Sequence, residues 1–478
     1  MGRVIRVAPG SGNGLQDALD RASPGDTVAL APGEHFHRAT IRHGGRPGAP
    51  ITIEGEAGAV LVGAPLLDPP DLFRMGVDDL PSLATWAFLR ILRCGHVVLR
   101  KVAMRSCWPT GVYAEDAWDL AFEGCVVEGG SYPFFVRDTR AKTPCARGIA
   151  VRGCNWVQDT RIWKQIEWKR VHHGDHFHLN GALLGTSDVL GDIEFSGNQV
   201  RDAFNALRID ITGHLRDTFP EEVARRNRNI FVFDNLFERI RDNVLEPETW
   251  AYNMHFHRNQ VVDCFAPISL DGVGGGYWYF YGNVFRFETR PGSPAHKGHR
   301  SGKIVKLAGY PLHPANRWYF LNNSIHCRAA IFGDGDSFGV PIWNLVAHDN
   351  VIAAGDPLRV EDDVVCPPAI NAFDIDFRLH GDTAFGGTVT NVSSWRRALV
   401  EAGQVEGDAV LLPASTRVFV DAPAGNLALE PGSPARGSGR ALGVRLPGGE
   451  VFEWAPGLHR GAVQNGPGVL PTIPMRSV

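Results

Sequence analysis

Short stretches of alternating apolar and polar residues recur along most of the chain, and each is followed by an Asn. The segments FSGNQV, FVFDNLF, FHRNQV, FYGNVF, FLNNSI and AHDNVI contain Asn198, Asn235, Asn259, Asn283, Asn323 and Asn350. Apolar residues alternate on both sides of these positions, as Ile230 and Val232 do, which predicts strands. A basic unit of about 24 residues fits one coil of a parallel β-helix better than a helical repeat.

The repeated Asn fits the turn between two such strands. Its side chain tolerates left-handed backbone angles and hydrogen-bonds nearby backbone groups. At equivalent turns of successive coils, the amides can also stack into a ladder that bonds from coil to coil. We therefore give the repeated Asn residues a structural role and assign them no chemistry.

The two ends of the chain lack the repeat and predict covers for an open stack of strands. Near the start, GLQDALDR predicts a short amphipathic helix from about Leu15 to Arg21, with TVALAPG as the first strand. From about Asn426 onward the sequence is rich in loop residues and predicts a terminal wrap. The predicted domains are an N-terminal cap over residues 1–25, a β-helix over 26–425 and a C-terminal wrap over 426–478.

Composition narrows the class of protein and of partner. The chain has 55 Gly and 32 Pro, which indicates many turns between short strands. A net charge of -4 argues against a general binder of nucleic acid or of anionic membranes. The eight Cys form no CxxC pair, so reduced, buried thiols are expected. We find neither a signal-peptide core nor an apolar run long enough to span a bilayer. A soluble chain is expected, cytoplasmic if Met1 is native and secreted if it is a mature form.

The opening LQDALDRASPGDTVALAPGEHFHRATIRHGGRPGAPITIEGEAGAVLVG resembles the N-terminal cap and first coil of right-handed parallel β-helix proteins of the pectate-lyase-like superfamily. It is most similar to polysaccharide lyases related to chondroitinase B and alginate lyase. The tail LEPGSPARGSG is similar to the closing segment of many carbohydrate-active β-helix proteins. The resemblance implies an all-β, single-stranded right-handed parallel β-helix acting on a polysaccharide or oligosaccharide, as a monomer or a homotrimer. Fold alone does not give the reaction.

Stacking the coils in register converts the sequence into a map of one face, since equivalent residues lie about 4.8 Å apart. The segments NALRIDI, NVLEPET, APISLDG and KIVKLAG align with alternate residues in the core. TGVYAED, PFFVRDT and DHFHLNG are placed before them. Two outward columns follow: Tyr113, Phe135, His178, Arg208, Glu246, Ser269 and Lys306 in one, and Glu115, Arg137, Asn180, Asp210, Glu248 and Asp271 in the other.

Four carboxylates crowd into three coils of this map: Asp210, Glu246, Glu248 and Asp271. Like charges at this spacing raise one another's pKa or need a cation. Paired carboxylates cleave glycosides when one protonates the leaving oxygen and the other attacks or activates water. We predict these four as catalytic residues of a glycoside hydrolase that needs no cofactor. The predicted substrate-binding residues are Arg208, Lys306, His178, Asn180, Arg137, Tyr113 and Trp250.

The main alternative is β-elimination or epimerisation on a uronic-acid polymer, which needs the substrate carboxylate neutralised. Glu246-x-Glu248, with Asn180 or Asp210 on nearby coils, is similar to the calcium site of the chondroitinase B-like lyases. The resemblance thus implies Ca²⁺ bound by Glu246, Glu248 and Asp210. The match ends there, since no Lys follows Glu248 at the spacing of the family's base, and Asp271 stands where the family places an Arg.

Three further alternatives remain. The segment HHGDHFH could bind zinc or iron if His176 and His178 share a strand face with Asp175 beside them. A fructotransferase-like enzyme would also use carboxylates on a β-helix. A non-enzymatic glycan-binding β-helix, such as an adhesin or a tailspike, would not need the acidic cluster.

Overall fold

The computed structural model describes residues 2–63, 80–163, 165–174, 176–270, 273–287 and 303–307, with shorter stretches beyond. These stretches are 318–327, 330–334, 345–348, 350–354, 383–386, 410–411, 419–421, 426–433, 435–436, 443–445 and 451–453. The chain divides into two compact units, Met1–Phe231 with Asn235–Trp250, and Val232–Asp234 with Ala251–Val478.

The first unit is built from three parallel sheets. The first sheet contains β1 Val4–Val7, β2 Thr27–Leu30, β5 Ile51–Gly55, β8 Gly95–Arg100, β11 Trp118–Glu123, β14 Arg147–Arg152, β17 Gly191–Ser196 and β20 Arg228–Phe233, which ends in the second unit. The second sheet contains β4 Ala39–Ile41, β7 Leu89–Leu92, β10 Thr110–Glu115, β13 Tyr132–Arg137, β16 Leu184–Ser187, β19 Leu207–Asp210 and β22 Leu245–Pro247. The third sheet contains β3 Gly33–His35, β6 Ala59–Val62, β9 Ala103–Arg105, β12 Val126–Glu128, β15 Asn155–Val157, β18 Gln199–Ala203 and β21 Leu236–Ile240.

Each coil contributes one strand to each sheet, and alternate side chains point into the core. In β8, for example, Val97 and Leu99 are each 2% exposed while their neighbours face outward. Burial of the inward apolar side chains supplies the main driving force for this stack. The predicted fold class, an all-β right-handed parallel β-helix, is confirmed.

Helices lie outside the strands of the first unit. They are α1 Gly14–Arg21, α2 Leu80–Trp86, α3 Trp168–His173, α4 Gly213–Thr218 and α5 Pro220–Val223, with a 3₁₀ turn at Phe177–Leu179. Helix α1 confirms the predicted N-terminal helix, and it buries Leu15, Ala18 and Leu19. The segment predicted as the first strand is the second one. Strand β1 precedes the helix and pairs in parallel with β2. The domain boundaries themselves stay predictions.

The strands of the second unit are also parallel and belong to three sheets. They are β23 Trp250–His257, β26 Gly274–Tyr281, β29 Trp318–Leu321 and β32 Leu345–His348; then β25 Ile268–Ser269, β28 Lys303–Leu307 and β31 Ala330–Asp334; then β24 Gln260–Val262, β27 Val284–Arg286, β30 Ser324–Cys327, β33 Asn350–Ala354, β34 Thr383–Gly386 and β35 Val410–Leu411. Trp250, which begins β23, belongs to the first unit. Two antiparallel pairs follow: β36 Phe419–Asp421 with β37 Asn426–Leu429, and β38 Gly443–Arg445 with β39 Val451–Glu453.

The Asn repeat forms the predicted ladder of buried amides. In the first unit the Asn198 Nδ2 donates to Asn235 Oδ1 at 3.0 Å. In the second unit Asn259 donates to Asn283 at 3.2 Å, and Asn283 donates to Asn323 at 3.0 Å. Each of these donors also reaches a backbone carbonyl, so the buried amides are satisfied along the stack. The side chain of Asn350 lies outside the described residues.

The reason for Asn at these turns differs from the one expected. The left-handed backbone angle belongs to the residue before each ladder Asn, as at Asp234 with φ 56° and Arg258 with φ 53°. Gly197, Gly282 and Asn322 hold the same place before the other ladder positions. Asn therefore serves these turns through its amide hydrogen bonds, while its neighbour makes the bend.

Candidate active site

The outer face of the second sheet in the first unit carries the predicted columns in part. Paired positions run from Arg90 through Tyr113, Phe135 and Gly185 to Arg208 and Glu246. The second column runs through Glu115, Arg137, Ser187 and Asp210. The pairing of Arg208 with Glu246 and of Tyr113 with Phe135 was predicted correctly from the repeat.

His178 and Asn180 do not belong to these columns, so their predicted placement was wrong. After β15 the chain leaves the sheets and returns only at β16, where Gly185 and Ser187 occupy the two outward positions. His178 lies in the 3₁₀ turn, 5% exposed, with its ring edge-on to Trp108 at 5.3 Å. Asn180 follows that turn and is 6% exposed. The alternation in DHFHLNG therefore comes from a turn and not from a strand.

Tyr113 and Phe135 face outward, yet they are not an open platform for a sugar. Helix α2 covers them, so that they pack in one apolar cluster with Leu83 and Ala87. The Tyr113 and Phe135 rings are stacked at 6.2 Å, and the Tyr113 hydroxyl donates to Glu115 Oε2 at 3.0 Å. The exposed end of the column therefore begins beyond this cluster, toward Arg208.

Arg208 stands at the centre of the acidic cluster. Its Nη2 lies 3.3 Å from Glu248 Oε1, and its Nε lies 3.7 Å from Glu246 Oε2. Burial opposes a charge here, but Tyr132 and the acidic side chains around it hold the pKa of Arg208 well above its ordinary value. Arg208 is therefore a fixed cation between carboxylates.

Asp210 is the most perturbed carboxyl group of the cluster. Burial raises its pKa to about 6, with the charges of Glu248 and Asp188 acting in the same direction. Arg208 and the Ile211 N–H, which donates to Asp210 Oδ1 at 2.7 Å, lower the pKa again. A carboxylic acid with this pKa holds its proton close to neutral pH, as a general acid requires.

Glu246 and Glu248 lie on the next coil, in unlike settings. Glu246 is 8% exposed, whereas the Glu248 side chain is 39% exposed. The Glu248 N–H donates to the Ile209 carbonyl at 2.7 Å, which continues the parallel register and sets Glu248 beside Asp210. Pro247 is buried between the two carboxylates, as its inward position predicted.

A sharp turn follows Glu248 and places Trp250. Thr249 adopts φ 72°, and the Trp250 N–H donates to the Glu248 carbonyl at 2.8 Å. The Trp250 carbonyl in turn accepts from Asn227 Nδ2 at 3.1 Å. The half-buried Trp250 comes two residues after the half-buried Glu248, and its predicted contact with substrate stays a prediction.

Tyr132 was missed by the sequence reading. It is 2% exposed, and burial raises the pKa of its phenol to about 12, although Arg208 acts against this shift. Its phenol also interacts with Glu246 and Asp210. Tyr132 is the first residue of its strand and belongs to neither column. The spacing of residues in the sequence therefore did not predict its position beside Arg208.

The remaining predicted residues are placed as follows. Arg137 pairs with Glu115 in the first unit and interacts with the Tyr113 hydroxyl and with Asp188. Lys306 lies in the second unit, half-buried, and pairs with Ser269 there as predicted. Asp271 lies outside the described residues.

The Ca²⁺ predicted for the lyase alternative stays a prediction, and its expected ligands contact an arginine in this structure. Arg208 contacts both Glu246 and Glu248, so a guanidinium occupies the space between the expected ligands. Within the described ranges, no group of three or more His, Cys, Asp or Glu side chains has a metal-binding arrangement. That holds also for the described histidines of HHGDHFH, where His172 Nε2 lies 3.0 Å from Asp242 Oδ2. The described residues also include no helix long and apolar enough to cross a membrane.

Comparison with known proteins gives likeness of fold only. No protein-family model matches the chain, and no curated protein is similar to it in sequence. Among solved structures, a variant of the PL6 family alginate lyase AlyGC is similar with a TM-score of 0.47 and 12% identity. The match covers 98% of this chain and 57% of that one, so this chain spans little more than half the length of that enzyme.

Two other solved structures show how varied the similar proteins are. A Family 28 exopolygalacturonase of Yersinia enterocolitica matches with a TM-score of 0.39 and 11% identity, over 73% of this chain and 77% of that one. PfbA, a surface adhesin of Streptococcus pneumoniae, matches with a TM-score of 0.41 and 9% identity, over 71% and 86%. At these values the likenesses carry no argument about a reaction.

Proposed function

We propose that this protein is a carbohydrate-active enzyme that hydrolyses a glycan on the outer face of the second sheet. The observation that supports this most directly is the unlike setting of two carboxylates on neighbouring coils. Asp210 is half-buried with its pKa raised to about 6, whereas Glu248, also half-buried with its side chain 39% exposed, lies 3.3 Å from a cation. Such a pair can supply a proton donor and a second carboxyl group that acts as nucleophile or base.

In the proposed reaction, the Asp210 carboxylic acid gives its proton to the glycosidic oxygen as the bond from the anomeric carbon to that oxygen breaks. Glu248 either attacks the anomeric carbon or takes a proton from the attacking water. Arg208 holds Glu248 in place through their ion pair and offers N–H donors to sugar hydroxyls. The positive charge that develops on the sugar is balanced by Glu248 and Glu246.

The test is turnover on a panel of neutral and uronic polysaccharides, with and without a chelator. New reducing ends without the absorbance of an unsaturated uronate, unaffected by the chelator, are expected. Chelator-sensitive formation of the unsaturated product would overturn the hydrolase proposal in favour of a calcium-assisted lyase. Glycan binding without any turnover would place the protein with non-enzymatic glycan binders.

Elimination is the second candidate function because of one observation. Arg208 is a fixed cation beside a phenol, and a guanidinium can neutralise the carboxylate of a uronate without a metal ion. In that case the unsaturated product would form in the presence of the chelator as well. Measuring both readouts in the same reaction separates the three outcomes.

A further inference from the structure

A close approach of two coils underlies the position of Tyr132. A Cβ atom added to Gly185 would lie 2.5 Å from Tyr132 Cδ1, 2.7 Å from Tyr132 Cε1 and 2.8 Å from Phe135 Cδ2. Real Cβ atoms essentially never come so near another heavy atom. The Tyr132 ring therefore lies over the Gly185 backbone, in space that any other residue would fill.

Because its ring lies over Gly185, the Tyr132 phenol extends from its own strand toward the next coil. Gly185 pairs with Phe135 on one side and with Arg208 on the other. Neighbouring strands are about 4.8 Å apart, so a ring that lies over Gly185 is directed at the Arg208 position. The ring is also held from the other side, since Tyr132 packs edge-on against Phe135 at 5.2 Å and belongs to the cluster under helix α2.

We propose that Tyr132 is a positioning residue for Arg208, and that Gly185 is the residue that lets it act. The inference rests on the proposed function, because it assigns Arg208 the task of holding Glu248 for the reaction. The Tyr132 phenol interacts with the guanidinium, and this contact fixes the orientation of the guanidinium between the two glutamates. A residue with a side chain at 185 would displace the ring and leave the guanidinium free to turn.

The first readout is kinetic. On a glycan that the wild-type protein cleaves, Tyr132→Phe and Gly185→Ala should each lower kcat about tenfold and leave KM within about twofold. Each change removes the contact between Tyr132 and Arg208, and Arg208 then no longer holds Glu248 for the reaction. The double variant should be no worse than Gly185→Ala alone, because a displaced ring has no contact left to lose. Additive losses, or a rise in KM with kcat unchanged, would overturn the proposal.

The second readout does not depend on turnover. In wild-type protein the Arg208 Nε–H should give a slowly exchanging resonance in ¹H–¹⁵N spectra, identified by its loss in Arg208→Lys. Tyr132→Phe and Gly185→Ala should speed its exchange about tenfold or more. Unchanged exchange in Tyr132→Phe would overturn the proposal even if the enzyme proved to have another function. Faster exchange in a protein without turnover would support the positioning role and count against the hydrolase proposal alone.

Matched controls separate positioning from general damage. Gly14→Ala adds a Cβ with its nearest neighbour at an ordinary 3.5 Å, and Tyr279→Phe removes the hydroxyl of another buried tyrosine, 2% exposed, in the second unit. Both variants should keep the wild-type kcat and the wild-type hydrogen exchange rate of the Arg208 Nε–H. Thermal unfolding of every variant is recorded beside them. If Gly185→Ala does not fold, Tyr132→Phe still decides the matter, because it keeps the ring.

Discussion

Charged residues are stacked on the outer faces of two sheets in the first unit, and the arrangement of their charges differs. On the first sheet, Glu123 lies 3.1 Å from Arg100 and 3.2 Å from Arg152, and Arg152 Nε donates to Glu194 at 2.8 Å. Cations and carboxylates alternate there, and both arginine side chains are more than 40% exposed. On the second sheet, three carboxylates surround Arg208, whose side chain is only 22% exposed.

The difference shows what separates a solvated ion-pair ladder from a site. Alternating pairs whose cations are exposed contribute little to stability and demand no unusual protonation. A buried surplus of carboxylates around one cation must leave at least one acid protonated or poorly solvated. The pKa values follow this division, since Arg152 holds the pKa of Glu194 below its usual value against the effect of burial, while burial raises the pKa of Asp210 to about 6.

The largest expected effect comes from removing the proton donor. Asp210→Asn should lower kcat by about 10² to 10⁴-fold, since general acid catalysis contributes that much. Glu123→Gln, an equal loss of charge on the first sheet, should leave kcat within about twofold. Steady-state assays on any glycan that the wild-type protein cleaves measure both. Similar losses in the two variants would erase the distinction between the faces.

The next effect concerns the two arginines. Arg208→Met should destabilise the protein by about 2 to 4 kcal/mol, because it leaves the buried Glu246 and the half-buried Asp210 and Glu248 without their cation. Arg152→Met should cost less than about 1 kcal/mol, as expected for a partly exposed pair. Denaturant unfolding monitored by circular dichroism gives both values. A larger loss for Arg152→Met would contradict the account.

The smallest effect is a difference in the sign of pH dependence. The folded-state pKa of Asp210 lies above the unfolded value of about 3.9, so its contribution to stability is present below about pH 4 and is lost as the pH rises through about 6. Relative to wild type, Asp210→Asn should therefore gain about 1 to 3 kcal/mol between these pH values. The pKa of Glu194 is lowered, so Glu194→Gln should instead lose stability relative to wild type as the pH rises.

Unfolding measured at several pH values tests these two slopes. Constant relative stability of Asp210→Asn from pH 4 to 6 would contradict the assignment, as would constant relative stability of Glu194→Gln below about pH 4.5. Slopes of the same sign in both variants would show that the two faces do not differ in the way described.

The sequence was informative where one coil follows another without interruption. The Asn spacing set the register of the ladder, and the residues after Asn205 and Asn243 placed Arg208 opposite Glu246 correctly. Both steps needed only the period of the repeat and the alternation of strand faces. The proximity of Asp210, Glu246 and Glu248 could be predicted for the same reason, whereas Asp271 lies outside the described residues.

Placements predicted from the sequence were wrong where the chain leaves the sheets between two strands, and contacts were missed where a side chain reaches a neighbouring coil. The excursion between β15 and β16 has no fixed length, so its alternating HFHLN was mistaken for a strand and Gly185 was missed. Helix α2 covers Tyr113, which no pattern within that strand reveals. The Tyr132 ring can lie over the next coil because Gly185 has no Cβ atom there. Residue spacing in the sequence does not indicate such a contact.

The account rests on Asp210 being a carboxyl group unlike those of the exposed ladder. Its pKa can be measured directly by ¹³C NMR of protein labelled at the aspartate carboxyls, with Asp210→Asn to identify the resonance. We predict a midpoint near pH 6. A midpoint at the ordinary aspartate value of about 3.9 would contradict the assignment of Asp210 as the proton donor.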